Sequence, residues 1–237
     1  MTMKLPILIF SLFFFLIIED GHAKDLSKLQ ASQPCKLPKG ESLTIGCTYK
    51  CGRWNRWAIK WYARKLGYRV RLVNLSRKNQ SIDYSQVDGI LMPGGVDINP
   101  IRYKDAPTIT PEMRAHIEKI EHLAVLTKTG EKRDAFEFDL LEKYFSNPQS
   151  KNQPVLGICR GMQALTVSQG IPLYVDIKKE LGIKNRRYTL DKVYVQNQES
   201  LIKEIVRKKR FRAVELHHQG LNVPYFMKHK KNWPNLE

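Results

Sequence analysis

Apolar positions recur with two different periods along this chain, and the order of those periods sets the fold. SLTIGCTY, ending at Tyr49, is a short β-type run. After Gly52 the apolar residues Trp54, Trp57, Ala58, Trp61, Tyr62 and Leu66 fall three and four apart, which predicts one stripe of an amphipathic helix. The plain expectation for that stripe is packing against a sheet, with Gly67 closing the helix. YRVRLVNL (68–75) and VDGILMP (87–93) read as the next strands, the second apolar on both faces as buried parallel strands are.

Further along, Met113, Ile117, Ile120 and Ala124 mark one helix after Pro111, and Phe136, Leu140, Leu141, Tyr144 and Phe145 mark another. SKNQ reads as a polar loop between Pro148 and Pro154, and VLGI then runs into Cys159. KVYV (192–195), a basic helix near 200–209 and a short strand AVEL (213–216) follow. Strand, helix, strand alternation predicts an α/β fold: an open, mostly parallel sheet flanked by helices, joined by right-handed crossovers.

The first residues change the picture. MTMK precedes an uncharged apolar run from Leu5 to Ile18, and then EDGHA with small Gly21 and Ala23. That order reads as a secretory signal peptide cleaved after Ala23, too short for the roughly 20 residues of a membrane span. The expected organisation is a signal peptide over 1–23, an N-terminal extension over 24–42 and one domain over 43–237. No transmembrane span is expected after cleavage, and the expected location is exported, periplasmic or secreted.

The chain of 237 residues carries 40 Lys and Arg against 23 Asp and Glu, a formal charge of +17. Such a field suits an anionic envelope surface or an acidic substrate. RKKRFR (207–212) and KHKK (228–231) lack the interleaved aromatics of a base-stacking surface, so no specific nucleic acid is expected. In an oxidising compartment Cys35 can pair with Cys47 or Cys51, leaving one thiol over. Cys47 and Cys51 have no further ligands nearby, so neither a metal nor a cofactor is expected.

Cys159 is the thiol with chemical promise. It stands where an apolar strand passes into a helix, at the carboxyl edge of the sheet where open α/β sheets bind ligands. Gly157 and Gly161 around it permit a nucleophile elbow, and a helix N-terminus favours both a thiolate and an oxyanion. The Gly94-Gly95 pair after a buried strand offers bare N–H groups to a developing negative charge. Asp97 and Tyr103 read equally as residues bordering the pocket or as an N-cap aspartate and a packed tyrosine, and Arg133 and Glu137 read as an i, i+4 pair on an exposed helix face.

GICRGMQ, MPGGVDINPIRY (92–103), RDAFEFDLL (133–141) and HHQ (217–219) stand in the order found in the peptidase C26 group of γ-glutamyl hydrolases, within the class I glutamine amidotransferase-like family. The chain resembles in particular the γ-glutamyl-γ-aminobutyrate hydrolase branch, from about Leu43 to Gln219. The resemblance implies a flavodoxin-like α/β fold and hydrolysis of γ-glutamyl amides through a thioester on Cys159. It implies an oxyanion hole from the backbone at Gly94 and Gly95 with the Arg160 amide. Gln163, His217, His218 and Gln219 become the substrate-binding residues, and a small γ-glutamyl compound the partner.

In relatives the nucleophile's base is a histidine in a histidine-proline-glutamate word some tens of residues beyond HHQ. No such word follows Gln219 here, and His229 reads as part of a solvated tail. Three expectations stand side by side: a chain cut short at its C-terminus, a pseudoenzyme that binds without cleaving, and an enzyme that uses His217 or His218 as base. A non-catalytic basic binding protein of the cell envelope is the reading from a different class. A glutaminase would need a synthase partner, for which the sequence shows no docking surface, and no oligomeric state is assigned.

Overall fold

The computed structural model describes residues 42–76, 83–183, 189–194, 209–215 and 217–233. The expected signal peptide and the basic helix near 200–209 therefore lie outside the described residues, apart from the helix's last position.

Four parallel strands make the main sheet, in the order β2 (Arg69–Asn74), β1 (Ser42–Cys47), β3 (Gly89–Met92), β4 (Val155–Gly157). α1 (Arg53–Lys65) joins β1 to β2, while α2 (Pro111–Ile120) and α3 (Lys128–Ser146) lie between β3 and β4. α4 (Arg160–Ser168) follows β4 directly. The open parallel sheet with helices is the α/β architecture that the alternating periods predict.

All four residues of β3 are buried, and its pleat sends them to both faces. Ile90 and Met92 join Leu140, Leu141, Tyr144, Ala164 and Leu165 in the larger core, whereas Leu91 meets Cys47, Ile158 and Ile59 on the α1 side. Burying each such side chain stabilises the fold by about 1.5–3 kcal/mol before entropy is set against it.

α1 ends in a Schellman motif, with Tyr68 N–H on the Ala63 carbonyl at 2.9 Å and Gly67 N–H on that of Arg64 at 3.1 Å. Its expected orientation is overturned. Trp54 is 79% exposed, and Trp57, Trp61, Tyr62 and Leu66 are exposed as well. Ile59 and Ala63, one turn apart, face the sheet instead. Two apolar sides exist on this helix, and the narrower residues lie against the strands.

Beyond α4 come β5 (Leu173–Tyr174), α5 (Ile177–Glu180), β6 (Thr189–Tyr194) and β7 (Arg210–Glu215). β8 (Gly220–Leu221) and α6 (Val223–Lys228) close the series. β6 and β7 form an antiparallel pair outside the main sheet, so the expected strand at 213–216 begins earlier, at Arg210. β5 pairs antiparallel with β8. The expected SKNQ loop is part of a 3-10 turn over Pro148–Asn152. Tyr225, Phe226 and Trp233 pack with Ile171, and Trp233 Nε1 donates to the Gln169 carbonyl at 2.7 Å. His229, expected in a solvated tail, stacks on Tyr225 with ring centroids 4.5 Å apart.

Cys47 and Cys51 are joined in a disulfide across the turn between β1 and α1. The expected pairing of Cys35 with either of them is thus corrected, because residues four apart at a sharp turn already bring their sulfurs together. Among the described residues Cys159 is the free cysteine. No helix among them is long and apolar enough to cross a membrane.

Candidate active site

Cys159 occupies the N-cap of α4 with φ 52° and ψ −112°, the one non-glycine residue at positive φ among the described residues. A side chain held in that region costs conformational energy, and strained strand-to-helix turns of this kind present nucleophiles. The turn is tied down on both sides: Ile158 N–H donates to the Met92 carbonyl at 2.9 Å, and Gln163 N–H to that of Cys159 at 3.1 Å. Gly161 is required by close approach, since a β-carbon there would run into the Met92 carbonyl. β3 and the first turn of α4 touch through bare backbone.

The backbone N–H groups of Arg160 and Gly95 favour the charged form of the thiol. Gly94 lies beside it as well: a β-carbon on Gly94 would stand 4.0 Å from Sγ. The three residues expected to build an oxyanion hole are thus gathered around Cys159. The expectation of an acidified thiol is not met. Burial pushes the Cys159 thiol up, and the N–H groups of Arg160 and Gly95 with the charges of Arg133 and Arg160 pull it back only in part.

Arg133 explains the orientation of the glycine turn. Its Nη1 donates to the Gly94 carbonyl at 2.9 Å and its Nη2 to the Pro93 carbonyl at 2.5 Å. In a trans peptide the C=O and the following N–H point opposite ways. Holding the Gly94 carbonyl toward Arg133 therefore turns the Gly95 N–H away from it, toward Sγ.

Behind this turn lies a charge network that sequence reasoning missed. Arg133 and Glu137, expected on an exposed face, are 5% and 0% exposed. Arg133 Nε donates to Glu137 at 2.9 Å; Thr48 Oγ1 and Arg160 donate to the same carboxylate, and Arg160 also pairs with Asp134. Asp134 accepts the Asn99 N–H at 3.1 Å, and the Tyr49 ring lies 5.0 Å from the Arg133 guanidinium. Burial pushes Arg133 down and the Asp134 carboxyl up, as removal from water does. A signal was present: Glu137, Leu140, Leu141 and Tyr144 share one stripe, so the carboxylate stands on the apolar face.

The HHQ word is fastened to α4 and to the loop that follows the glycine turn. Gln163 Nε2, on α4, donates to the Gln219 carbonyl at 2.7 Å. The Gln219 side chain accepts from Ile98 N–H at 2.9 Å and donates to the Ile98 carbonyl at 3.2 Å. Both glutamines are buried and engaged within the protein, so they tether α4, the glycine turn and β8. His218 Nε2 lies 2.8 Å from Asp97, and its Nδ1 lies 3.6 Å from Asp176. His217 Nδ1 lies 2.6 Å from the Gln219 carbonyl, which can only accept, so Nδ1 carries the proton. Among the described residues no histidine hydrogen-bonds the Cys159 thiol. Asp97 also accepts the Val125 N–H at 2.7 Å, while the fully buried Tyr103 has no partner for its hydroxyl among the described residues and burial pushes that phenol up.

Residues 64–225 match the family described as Peptidase C26. The chain is 33% identical to Protein NtpR of Enterococcus hirae over 102 residues, 43% of this chain and 35% of that protein. It is 30% identical to the glutamine amidotransferase-like protein YvdE homolog of Lactococcus lactis subsp. cremoris over 115 residues, 48% of this chain and 51% of that one. These alignments span about half or less of the curated relatives. A glutamine amidotransferase crystal structure from Thermotoga maritima superposes with a TM-score of 0.44 at 14% identity, over 78% of this chain and 64% of that chain. The family match covers most of the chain, from the C-terminal end of α1 through the Cys159 turn into α6, and the chain belongs to the Peptidase C26 family.

Proposed function

We propose that this chain hydrolyses γ-glutamyl amide bonds, with Cys159 as nucleophile. The observation that carries the reading is Cys159 at positive φ on the N-cap of α4, with the glycine turn at Gly94 beside its sulfur and the backbone N–H groups of Arg160 and Gly95 favouring its charged form. Family membership supports an amidohydrolase or amidotransferase-like activity, and the γ-glutamyl substrate is the finer part of the proposal. In this reading the thiolate attacks the amide carbon, and the carbonyl oxygen takes the negative charge. The same N–H groups then stabilise that oxygen, Gly94 lets the substrate come close, and collapse expels the amine as it gains a proton. Water cleaves the thioester to free glutamate and restore the thiol.

A thiol raised by burial needs a base to become a thiolate. Of the two imidazoles in the HHQ word, His217 is the better suited: the Gln219 carbonyl fixes its proton on Nδ1, leaving Nε2 a lone pair. His218 faces carboxylates through both nitrogens. Export and an anionic envelope surface belong to the same proposal.

Purified protein is to be incubated with γ-glutamyl-γ-aminobutyrate and glutamate release followed, with Cys159→Ala as control. Release above the control supports the reading, and none rejects it. The absence of a histidine on Sγ among the described residues favours a second reading, a protein that binds γ-glutamyl compounds without cleaving them. Calorimetric binding without glutamate release would select it.

A further inference from the structure

The side of α1 turned away from the sheet has no part in the site. At 100° per residue Trp54 stands opposite Ala63, which is packed inward. Trp54, Trp57, Trp61 and Tyr62 spread across that outer side, all exposed. Trp57 and Trp61 stack at 5.9 Å with an 18° interplanar angle, making a flat aromatic ridge. Arg53, Arg56, Lys60 and Arg64 recur three and four apart along one flank, and the helix contains no acidic residue. An exposed aromatic ridge of this size normally marks an interaction surface.

We propose that α1 is an interfacial docking helix for an anionic lipid surface. Indole rings favour the boundary between headgroups and acyl chains, where the ring is apolar and the N–H stays wet. Cations beside them meet lipid phosphates, and the chain's charge of +17 adds long-range attraction. Charge complementarity selects this occupant over a second copy, because two such helices face to face would set like charges together. Single-stranded nucleic acid fits less well. Trp57 and Trp61 already cover each other, so no slot between them is open to a base.

The chain's four tryptophans make the test direct, because Trp233 is buried and only the three on α1 can touch lipid. The protein is mixed with vesicles of phosphatidylcholine containing phosphatidylglycerol, with pure phosphatidylcholine vesicles, and with a single-stranded DNA oligomer. Expected are salt-sensitive sedimentation with the anionic vesicles, a blue shift in emission, and quenching by brominated phosphatidylglycerol. The variant Trp54→Ser/Trp57→Ser/Trp61→Ser should lower partitioning at least about tenfold. Should that variant fail to fold, Arg53→Gln/Arg56→Gln/Lys60→Gln/Arg64→Gln leaves the rings intact and should weaken vesicle binding by a similar factor. Undiminished partitioning of a folded variant, absent quenching, equal binding to neutral vesicles, or binding of DNA or self-association through α1 without vesicle binding would each overturn the proposal. None of these readouts depends on glutamate release, so the outcome is independent of the proposed hydrolase activity.

Discussion

Arg133 holds the Gly94 carbonyl at 2.9 Å, and through that one bond a side chain on α3 decides which way the glycine turn offers its N–H groups. The guanidinium is itself held by Glu137, which Arg160 and Thr48 share. Arg160 enters the site twice, its backbone N–H on the thiol and its side chain in the network behind it.

Arg133→Met keeps the volume but removes the donors to Pro93 and Gly94. The Gly95 peptide is then free to turn over, so any glutamate release should fall about 10²–10³-fold, as loss of an oxyanion donor does. Removing one member of a buried ion pair should also cost about 3 kcal/mol or more in urea unfolding. Full activity in the variant would show that the turn holds its orientation unaided.

Burial raises the Cys159 thiol, so its iodoacetamide reaction should be slower at neutral pH than that of an exposed cysteine and should rise with a midpoint above the ~8.5 of a free thiol. The same shift sets a stability slope. A thiol raised in the folded state stabilises the fold below its unfolded pKa, and that contribution is lost as pH climbs through the folded value. Peptide mass separates Cys159 from the disulfide-bound Cys47 and Cys51. A midpoint at or below about 8.5 would mean that the Arg160 and Gly95 N–H groups outweigh burial.

The strand and helix order was legible because each period is local: β3 is apolar throughout, and α3 repeats every three and four residues. Which side of a helix faces inward is not local. The α1 stripe carries the larger residues, yet Ile59 and Ala63 meet the sheet. Periodicity reports that two faces differ and leaves open which one the strands accept. Arg133 and Glu137 show the same limit, since the i, i+4 spacing is identical for a solvated pair and a buried one. Their burial follows from Arg160 and Thr48, which are distant in sequence and close only once β1, α3 and α4 have packed. The cluster around Cys159 was legible for a different reason: glycines at 157 and 161 mark places where backbone must meet backbone, and Gly95 leaves room for the Arg133 and Arg160 side chains.

His217 and His218 stand side by side but should behave differently on substitution. His217→Gln removes the imidazole with a lone pair on Nε2, and in the proposed reaction it should cost about 10²–10⁴ in kcat. His218→Gln breaks the link from Asp97 to Asp176 and should weaken stability more than turnover. Glutamate release and thermal melts of both variants check this. Equal losses in turnover would remove His217 from the role of base.

Asp176 ties the strand β5 and helix α5 corner to the HHQ word. Burial pushes its carboxyl up, but the Lys179 N–H, His218 and the Lys178 N–H pull harder, leaving it below the usual carboxylate range. A carboxyl depressed in the folded state stabilises the fold above its unfolded pKa of about 3.9, and the contribution is lost as pH falls through the folded value. Asp176→Asn should therefore melt below the unmodified protein at neutral pH, with the gap shrinking as the medium is acidified below about pH 4. Asparagine still accepts the Lys178 and Lys179 N–H groups, each 3.0 Å from Oδ1, so what the variant loses is the charge facing His218. Equal melting of the variant and the unmodified protein at neutral pH would show that Asp176 contributes as a helix cap alone, and that its charge does not hold the HHQ corner in place.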